Sequence, residues 1–204
     1  MVQADSSALA AHSAATVYEA SGKTGMLDPG IRLLWRGARI CGPARCIRSR
    51  RGDNLALHRV LTMAEPGEVL VVATGRDLLH GAWGEVMTEA ALARSVAGLV
   101  TDGAVRDSEA IERLGFPVFA PGTAVGSCSK VDPGSIDEPI EIGGITIRPG
   151  DTIVADSDGA VFVAADRVQD VARAAREREA HERQLIQHIR RGKTTYELLR
   201  LGDP

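Results

Sequence analysis

Residues 68–74 read Glu-Val-Leu-Val-Val-Ala-Thr, and residues 98–107 read Gly-Leu-Val-Thr-Asp-Gly-Ala-Val-Arg-Asp. The first is an almost unbroken apolar run preceded by the turn pair Pro66-Gly67, as expected of a strand covered on both faces. The second opens on another such run, Gly98–Thr101, and then turns polar. Between them lie a glycine-rich loop, 75–84, and an alanine-rich segment, 85–96, which predicts a helix. Strand, loop, helix and strand in that order predict a parallel pair with a right-handed crossover, and an α/β protein.

Working outward, Ser108–Leu114 predicts a short helix and Pro117–Ala120 a third strand. From 122 to 162, short strands alternate with Pro-Gly, Gly-Gly and Asp-Gly turns, a β-rich half. Asp166 is the expected cap of a long helix reaching about Arg191, stopped by Gly192, with a short helix Thr194–Leu201 after it. Upstream, Ser7–Ala20 predicts a first helix and 27–36 a loop leading into a strand. Ala38–Arg50 is strand material that Cys41-Gly42-Pro43 is expected to break. Asp53 is the expected cap of a helix whose apolar face is Leu55, Leu57, Val60 and Leu61. Without repeats or a linker, the chain reads as one domain, 1–204, with helices packed on a central β region. In the long final helix, Val168, Val171, Ala172, Ala175, Leu185, Ile186 and Ile189 form only a narrow stripe. That stripe fits a solvated helix with i,i+4 ion pairs, or one that reaches a neighbouring subunit.

Composition narrows the function. With 44% hydrophobic and 3% aromatic residues, the core must be built from Ala, Val, Leu and Ile. A net charge of −3 gives no electrostatic case for nucleic acid or an anionic membrane as partner. Apolar stretches fall far short of the roughly 20 residues a membrane span needs. No basic stretch followed by an apolar run opens the chain, so a cytoplasmic enzyme is expected. Cys41, Cys46 and Cys128 lack CxxC spacing and read as reduced packing residues. The 75–84 loop has neither Walker nor GxGxxG spacing, which argues against a nucleotide.

The chemistry is expected where the two strands end. The loop 102–107 offers Asp102, Arg106 and Asp107: a guanidinium for a carboxylate or developing enolate, beside a hard oxygen ligand for a divalent metal. Gly84-Glu85 leads into a helix whose first amides, at Val86 and Met87, are a ready cradle for a carboxylate. Taken singly, Asp107 fits a helix cap and Glu85 fits helix-dipole complementarity. Both loops leave one edge of one βαβ unit, so the residues should converge into a metal and oxo-acid pocket. None of the three lysines, Lys23, Lys130 and Lys193, falls in that pocket, which favours a metal-dependent over an imine-forming mechanism. His58 is expected as packing or helix surface, and His12, His181 and His188 as surface residues. His80 and Arg76-Asp77 are lesser pocket candidates, and Trp83 a pocket wall or subunit contact.

Three stretches, Cys41-Gly-Pro-Ala44, Gly52-Asp-Asn-Leu-Ala-Leu-His58 and Gly98–Asp107, resemble the RraA-like family, in its 4-hydroxy-4-methyl-2-oxoglutarate / 4-carboxy-4-hydroxy-2-oxoadipate aldolase branch. Gly84-Glu85, with Glu85 22 residues before Asp107, matches too, and Pro149-Gly-Asp151 and Ala155–Gly159 resemble a later signature. The resemblance implies an αββα-type sandwich like the swivelling phosphohistidine domain, with a central mixed sheet, flanking helices and a long C-terminal helix. It implies trimers or hexamers and a class II pyruvate aldolase with oxaloacetate decarboxylase side activity. Carried over by position, Asp107 would ligate Mg²⁺ or Mn²⁺, with Glu85 and, from a neighbouring subunit, Glu182 acting through water. Arg106 would bind the 2-oxo group, Gly84, Val86 and Met87 the pyruvyl carboxylate, and Asn54 the substrate or its site water. Two alternatives stay open: a non-catalytic regulator that binds ribonuclease E, and a lyase for another hydroxy-oxo acid.

Overall fold

The computed structural model describes residues 5–202. After a 3₁₀ turn, Ser6–Leu9, come helix α1 (Ala14–Ala20), strands β1 (Arg32–Leu33) and β2 (Ile40–Arg48), and helix α2 (Leu55–Val60). The βαβ unit follows as β3 (Val69–Ala73), α3 (Glu85–Leu92) and β4 (Gly98–Thr101), and α4 (Ser108–Leu114) leads to β5 (Val118–Ala120). The β-rich half holds β6 (Ser135–Ile136), β7 (Ile140–Ile142), β8 (Ile145–Ile147), β9 (Thr152–Asp156) and β10 (Gly159–Val163). The long helix α5 (Val168–Arg190) and α6 (Thr195–Leu199) end it.

The central sheet runs β1-β5-β4-β3-β2-β9-β10, with β6 on β2, and β7–β8 form a separate hairpin. Strands β2 to β5 are parallel, as the two apolar runs require, with Val71 opposite Val100; β1, β9 and β10 join antiparallel, which makes the sheet mixed. The end strands β1 and β10 come into contact, so the sheet is nearly closed.

Alternation along β3 and β4 assigns their side chains to two cores. Leu70, Val72 and Leu99 pack with Leu57, Met87 and Ile111 under α2, α3 and α4. Val69, Val71 and Val100 pack on the other face with Ile140, Ile142, Ile147 and Ile153. A third cluster sets α1 and α5 on β9 and β10 through Val17, Val168, Val171, Val154 and Val161. Each such side chain contributes roughly 1.5–3 kcal/mol by leaving water. Strands buried on both faces are therefore rigid mounts for the loops at their ends.

Several local expectations change. Strand β2 passes unbroken through Cys41-Gly42-Pro43. Residues 40–43 pair with β9 and residues 44–48 with β3, so Pro43 falls where the strand changes partner. Gly42 is required there, because a Cβ would sit 2.2 Å from the Gly67 carbonyl oxygen. The first helix is split at His12-Ser13, and Ser13 caps α1. Asn54, not Asp53, is the N-cap of α2. Asp166 lies inside a 3₁₀ turn, Ala165–Arg167, and Arg167 precedes α5. His12 is buried rather than exposed, its Nδ1 2.7 Å from Glu179 on α5. Trp83 is core: it stacks on Phe116 and donates to Thr88. The last residue of α5 buried in this chain is Ala175, so the helix's outer half leaves Ile186 and Ile189 exposed. Among the described residues, no helix is long and apolar enough to cross a membrane.

Candidate active site

At the ends of β3 and β4, two loops are stitched together by backbone bonds. The buried Asp102 carboxylate accepts from the amide and hydroxyl of Thr74 and from the amide of Arg76. Ala104 N donates to Asp77 O, Ala82 N to Ala104 O, and Arg106 N to Trp83 O at 2.8 Å. Gly103 permits the approach, since a Cβ there would be 2.6 Å from Thr74 Oγ1. The zipper carries Arg106-Asp107 to Gly84-Glu85.

Asp107 stands at the N-cap position of α4, yet its side chain makes no capping bond. Its backbone is left-handed, with φ 58° and ψ 35°. That conformation costs a non-glycine residue about 1–2 kcal/mol, least for Asp and Asn. It turns the carboxylate away from α4 and toward α3, where Oδ2 accepts from Glu85 N at 3.1 Å. Arg106 Nε lies 3.6 Å from the same oxygen, with both side chains about half exposed. Gly84 makes room: a Cβ there would meet Asp107 Oδ2 at 2.4 Å and Arg106 Nε at 3.2 Å. With Gly84 as N-cap, helix geometry leaves the amides of Val86 and Met87 without intrahelical acceptors.

Arg106 and Asp107 sit where two depressions meet. An open groove of about 970 Å³ is lined by Glu85, Glu109, Arg113, Leu79 and Val125, among others. A narrower cleft of about 210 Å³ is lined by Asn54, His58, Gly81, Gly84, Met87 and Lys130, and also by Ala82, Val86 and the same Arg106 and Asp107. Asn54 Nδ2 donates to Ala82 O at 3.0 Å, while its buried Oδ1 has no hydrogen-bond partner. That orphaned acceptor calls for a donor from a ligand or water.

Two lining residues were not anticipated. His58, expected as packing, lies one helical turn from Asn54 and lines the cleft. Burial, and then the positive charge of Lys130, push its imidazole below its ordinary pKa. Lys130, expected outside the pocket, lines it as well. It is brought there by a parallel bridge between Asp53 and Ser129, a contact between distant segments that no local pattern encodes. The i,i+4 spacing of Asn54 and His58 was the one available signal. His80 instead pairs with the buried Asp77 at 2.9 Å and does not line this cleft. Arg76 pairs with Asp28. The three thiols are free, and burial lifts Cys41 to about 11 and Cys46 to about 12.

Glu182 lies on the outer half of α5, ion-paired with Arg178 at 3.0 Å, and lines neither depression of its own chain. Among the described residues, no group of three or more His, Cys, Asp and Glu side chains could together hold a metal. Asp107, Glu85 and Glu109 are the carboxylates that line the groove with Arg106, and Asp107 is the one within ion-pair distance of it. One or two carboxylates suit a hard ion that keeps most of its water, such as Mg²⁺ or Mn²⁺. The carboxylate turned off its capping position, in the space that Gly84 leaves, fits such an ion.

A protein of Halalkalibacterium halodurans named "Putative 4-hydroxy-4-methyl-2-oxoglutarate aldolase" is 36% identical over 156 residues, 76% of this chain and 74% of its own. An uncharacterized protein from Pseudomonas syringae pv. tomato superposes with a TM-score of 0.86 at 30% identity, over 96% of this chain and 92% of its own. Streptomyces coelicolor RraAS2, described as an unusual member of the RNase ES inhibitor RraA protein family, superposes with a TM-score of 0.80 at 31% identity, over 90% and 96%. The family model described as RraA-like, Aldolase/RraA, matches residues 14–162. By sequence and by fold, the chain belongs to the RraA-like family.

Proposed function

We propose that the protein is a divalent-metal-dependent lyase of small 2-oxo acids. It cleaves 4-hydroxy-4-methyl-2-oxoglutarate or 4-carboxy-4-hydroxy-2-oxoadipate to pyruvate and a second oxo acid, and decarboxylates oxaloacetate as a side reaction. The observation that carries this reading is Asp107: a carboxylate in a left-handed cap position, uncommitted to its own helix and set beside Arg106 and the open amides of α3.

In retro-aldol cleavage the C3–C4 bond breaks, its electron pair moves toward the C2 oxygen, and the C4 hydroxyl becomes a carbonyl as its proton passes to water; C3 of the resulting enolate then takes a proton from water to give pyruvate. Arg106 binds the 2-oxo group and stabilises the charge that grows on that oxygen. The amides of Val86 and Met87, with Gly84 leaving space, hold the adjacent carboxylate. Asn54 contacts the substrate or a site water. Lys130 and His58 line the same cleft, where the Lys130 ammonium and the His58 ring N–H complement a second carboxylate. Asp107 would hold Mg²⁺ or Mn²⁺, with Glu85 and a neighbouring subunit's Glu182 contributing through water. Such an ion supplies Lewis-acid polarisation of the 2-oxo group. Loss of CO₂ from oxaloacetate leaves the same enolate, which explains the paired activities.

The site is then shared between subunits of a cytoplasmic trimer or hexamer. Supporting this are the exposed apolar side chains that line it, Leu79, Val86 and Val125, and the outer half of α5, unburied in its own chain. We read residues 1–204 as one domain, and the succession of helices, sheet, strands and helices as the αββα sandwich akin to swivelling phosphohistidine domains. The same exposed apolar rim also suits a non-catalytic regulator docking on ribonuclease E, the second reading.

The test is pyruvate release from 4-hydroxy-4-methyl-2-oxoglutarate and from oxaloacetate, with Mg²⁺ or Mn²⁺ and with EDTA. Metal-dependent release is expected. Borohydride with pyruvate should leave Lys130 unmodified, because that side chain is exposed and imine-forming lysines are activated by desolvation. No metal-dependent pyruvate from either substrate would sink the lyase reading, and ribonuclease E binding would then support the second.

A further inference from the structure

Asp53 is buried, and three hydrogen-bond donors converge on its carboxylate. Oδ1 accepts from Leu55 N at 2.9 Å, the first amide of α2. Oδ2 accepts from the Ser129 hydroxyl and from Val131 N at 2.8 Å. The main chain reinforces the clamp: Ser129 N donates to Gly52 O at 2.8 Å, and Asn54 N to Ser129 O at 3.0 Å. Ser49 Oγ holds the Asp53 carbonyl oxygen at 2.8 Å. One carboxylate therefore joins the start of a helix to a strand-like segment more than 70 positions away.

What lies on either side of the clamp gives it a consequence. On α2, Asn54 follows Asp53 directly and His58 stands one turn on, and both line the cleft. On the other segment, Lys130 sits between the two residues, Ser129 and Val131, that donate to Asp53 Oδ2. Lys130 is exposed and has no ion-pair or hydrogen-bond partner among the described residues. Its flexible stem reaches the cleft only as accurately as its backbone is fixed. Hence the distance between the Lys130 ammonium and the Asn54–His58 face depends on Asp53.

We propose that Asp53 is a positioning residue: its carboxylate fixes the Ser129–Val131 segment on α2, and thereby sets Lys130 opposite Asn54 and His58 as the part of the cleft that takes the substrate's second carboxylate. The mechanical half of this statement stands on the clamp; the substrate half rests on the function proposed above. Asp53 itself never touches the ligand. Substituting it loosens the lysine without removing it.

The experiment separates the two halves. The His58 ring protons are titrated by NMR in the full chain, in Lys130→Met and in Asp53→Asn, with Ser129→Ala as a milder variant should Asp53→Asn fold poorly. Lys130→Met should raise the His58 midpoint by removing a nearby cation. Asp53→Asn should move it in the same direction, and Ser129→Ala part of the way. In the double variant, Asp53→Asn should add little to Lys130→Met, whereas a general loosening of the fold would add fully. A His58 midpoint that Lys130→Met moves and both clamp variants leave in place overturns the clamp, whatever the protein catalyses. For turnover, losing a charge-assisted contact predicts that Asp53→Asn raises KM for a dicarboxylate roughly tenfold, with kcat changed less than about threefold. A kcat loss with KM unchanged overturns the substrate half alone.

Discussion

Alanine at Gly84 tests the proposed reacting corner without touching a functional group. The new methyl would lie 2.4 Å from Asp107 Oδ2 and 3.2 Å from Cγ and Nε of Arg106. Relaxed contacts need about 3.5 Å, so the carboxylate must retreat by about 1 Å. It cannot do so by sliding the backbone, because Arg106 N is bonded to Trp83 O, and Asp107 O receives Ile111 N in the first turn of α4. The side chain has to rotate, which breaks its bond with Glu85 N. Gly84 has extended backbone, φ −153°, so alanine itself is not strained. For stability, loss of one half-exposed bond costs about 1 kcal/mol, and the reduced freedom of the unfolded chain offsets about 0.4–1 kcal/mol of it. For turnover, a 1 Å misplacement costs about 100-fold, equivalent to about 2.7 kcal/mol in the barrier. The assay is steady-state pyruvate release alongside thermal unfolding followed by circular dichroism. Activity within about threefold of the parent in a folded variant would refute the placement of the chemistry at Arg106 and Asp107.

Asp107→Asn should keep the fold, because Asn tolerates the left-handed region as well as Asp does. It should also abolish metal-dependent turnover; a melting temperature several degrees lower would show that the carboxylate is structural after all. Acid stability offers an independent check on Asp53. Burial works to raise its pKa, but the bonds from Ser129, Leu55 and Val131 outweigh it and hold the group well below the carboxylate range. A depressed folded pKa stabilises above the unfolded value near 3.9, and that contribution is lost as pH falls from there toward the folded value. Between about pH 5 and about pH 2.5 the melting temperature of the parent should therefore drop more steeply than that of Asp53→Asn, and parallel curves would contradict the clamp's electrostatics.

The parts of the molecule legible in its sequence are those that local periodicity encodes. Val69–Ala73 and Gly98–Thr101 are apolar on both faces because both faces are buried, and that fixed their pairing and the common edge of their loops. That common edge brings Gly84-Glu85 and Arg106-Asp107 to one place, and the backbone bonds between the two loops complete the approach. Strand β2 misled, because Gly-Pro breaks a strand only where the missing N–H is needed, and Pro43 falls at a change of partner. Asp53 was read as a cap for its position before a helix, whereas two of its three partners, Ser129 and Val131, lie far along the chain. Lys130 and His58 were placed outside the pocket for the same reason: the contact that brings them together joins two distant segments. His12 shows a further blind spot, since a polar residue near a helix start looks solvated until a partner such as Glu179 covers it.

The left-handed backbone at Asp107 bears on how this fold changes over generations. The position tolerates three residues well: Asp, Asn and Gly. In the genetic code a single base change converts Asp to either of the others. On the proposed function, a lineage can therefore silence the corner at Asp107 in one step without disturbing the sheet, the three cores or the exposed rim, and the same step reversed restores it. Chemistry written on so permissive a hinge is easy to shed and to regain, and a scaffold built this way is suited to found branches that keep its surface and abandon its reaction.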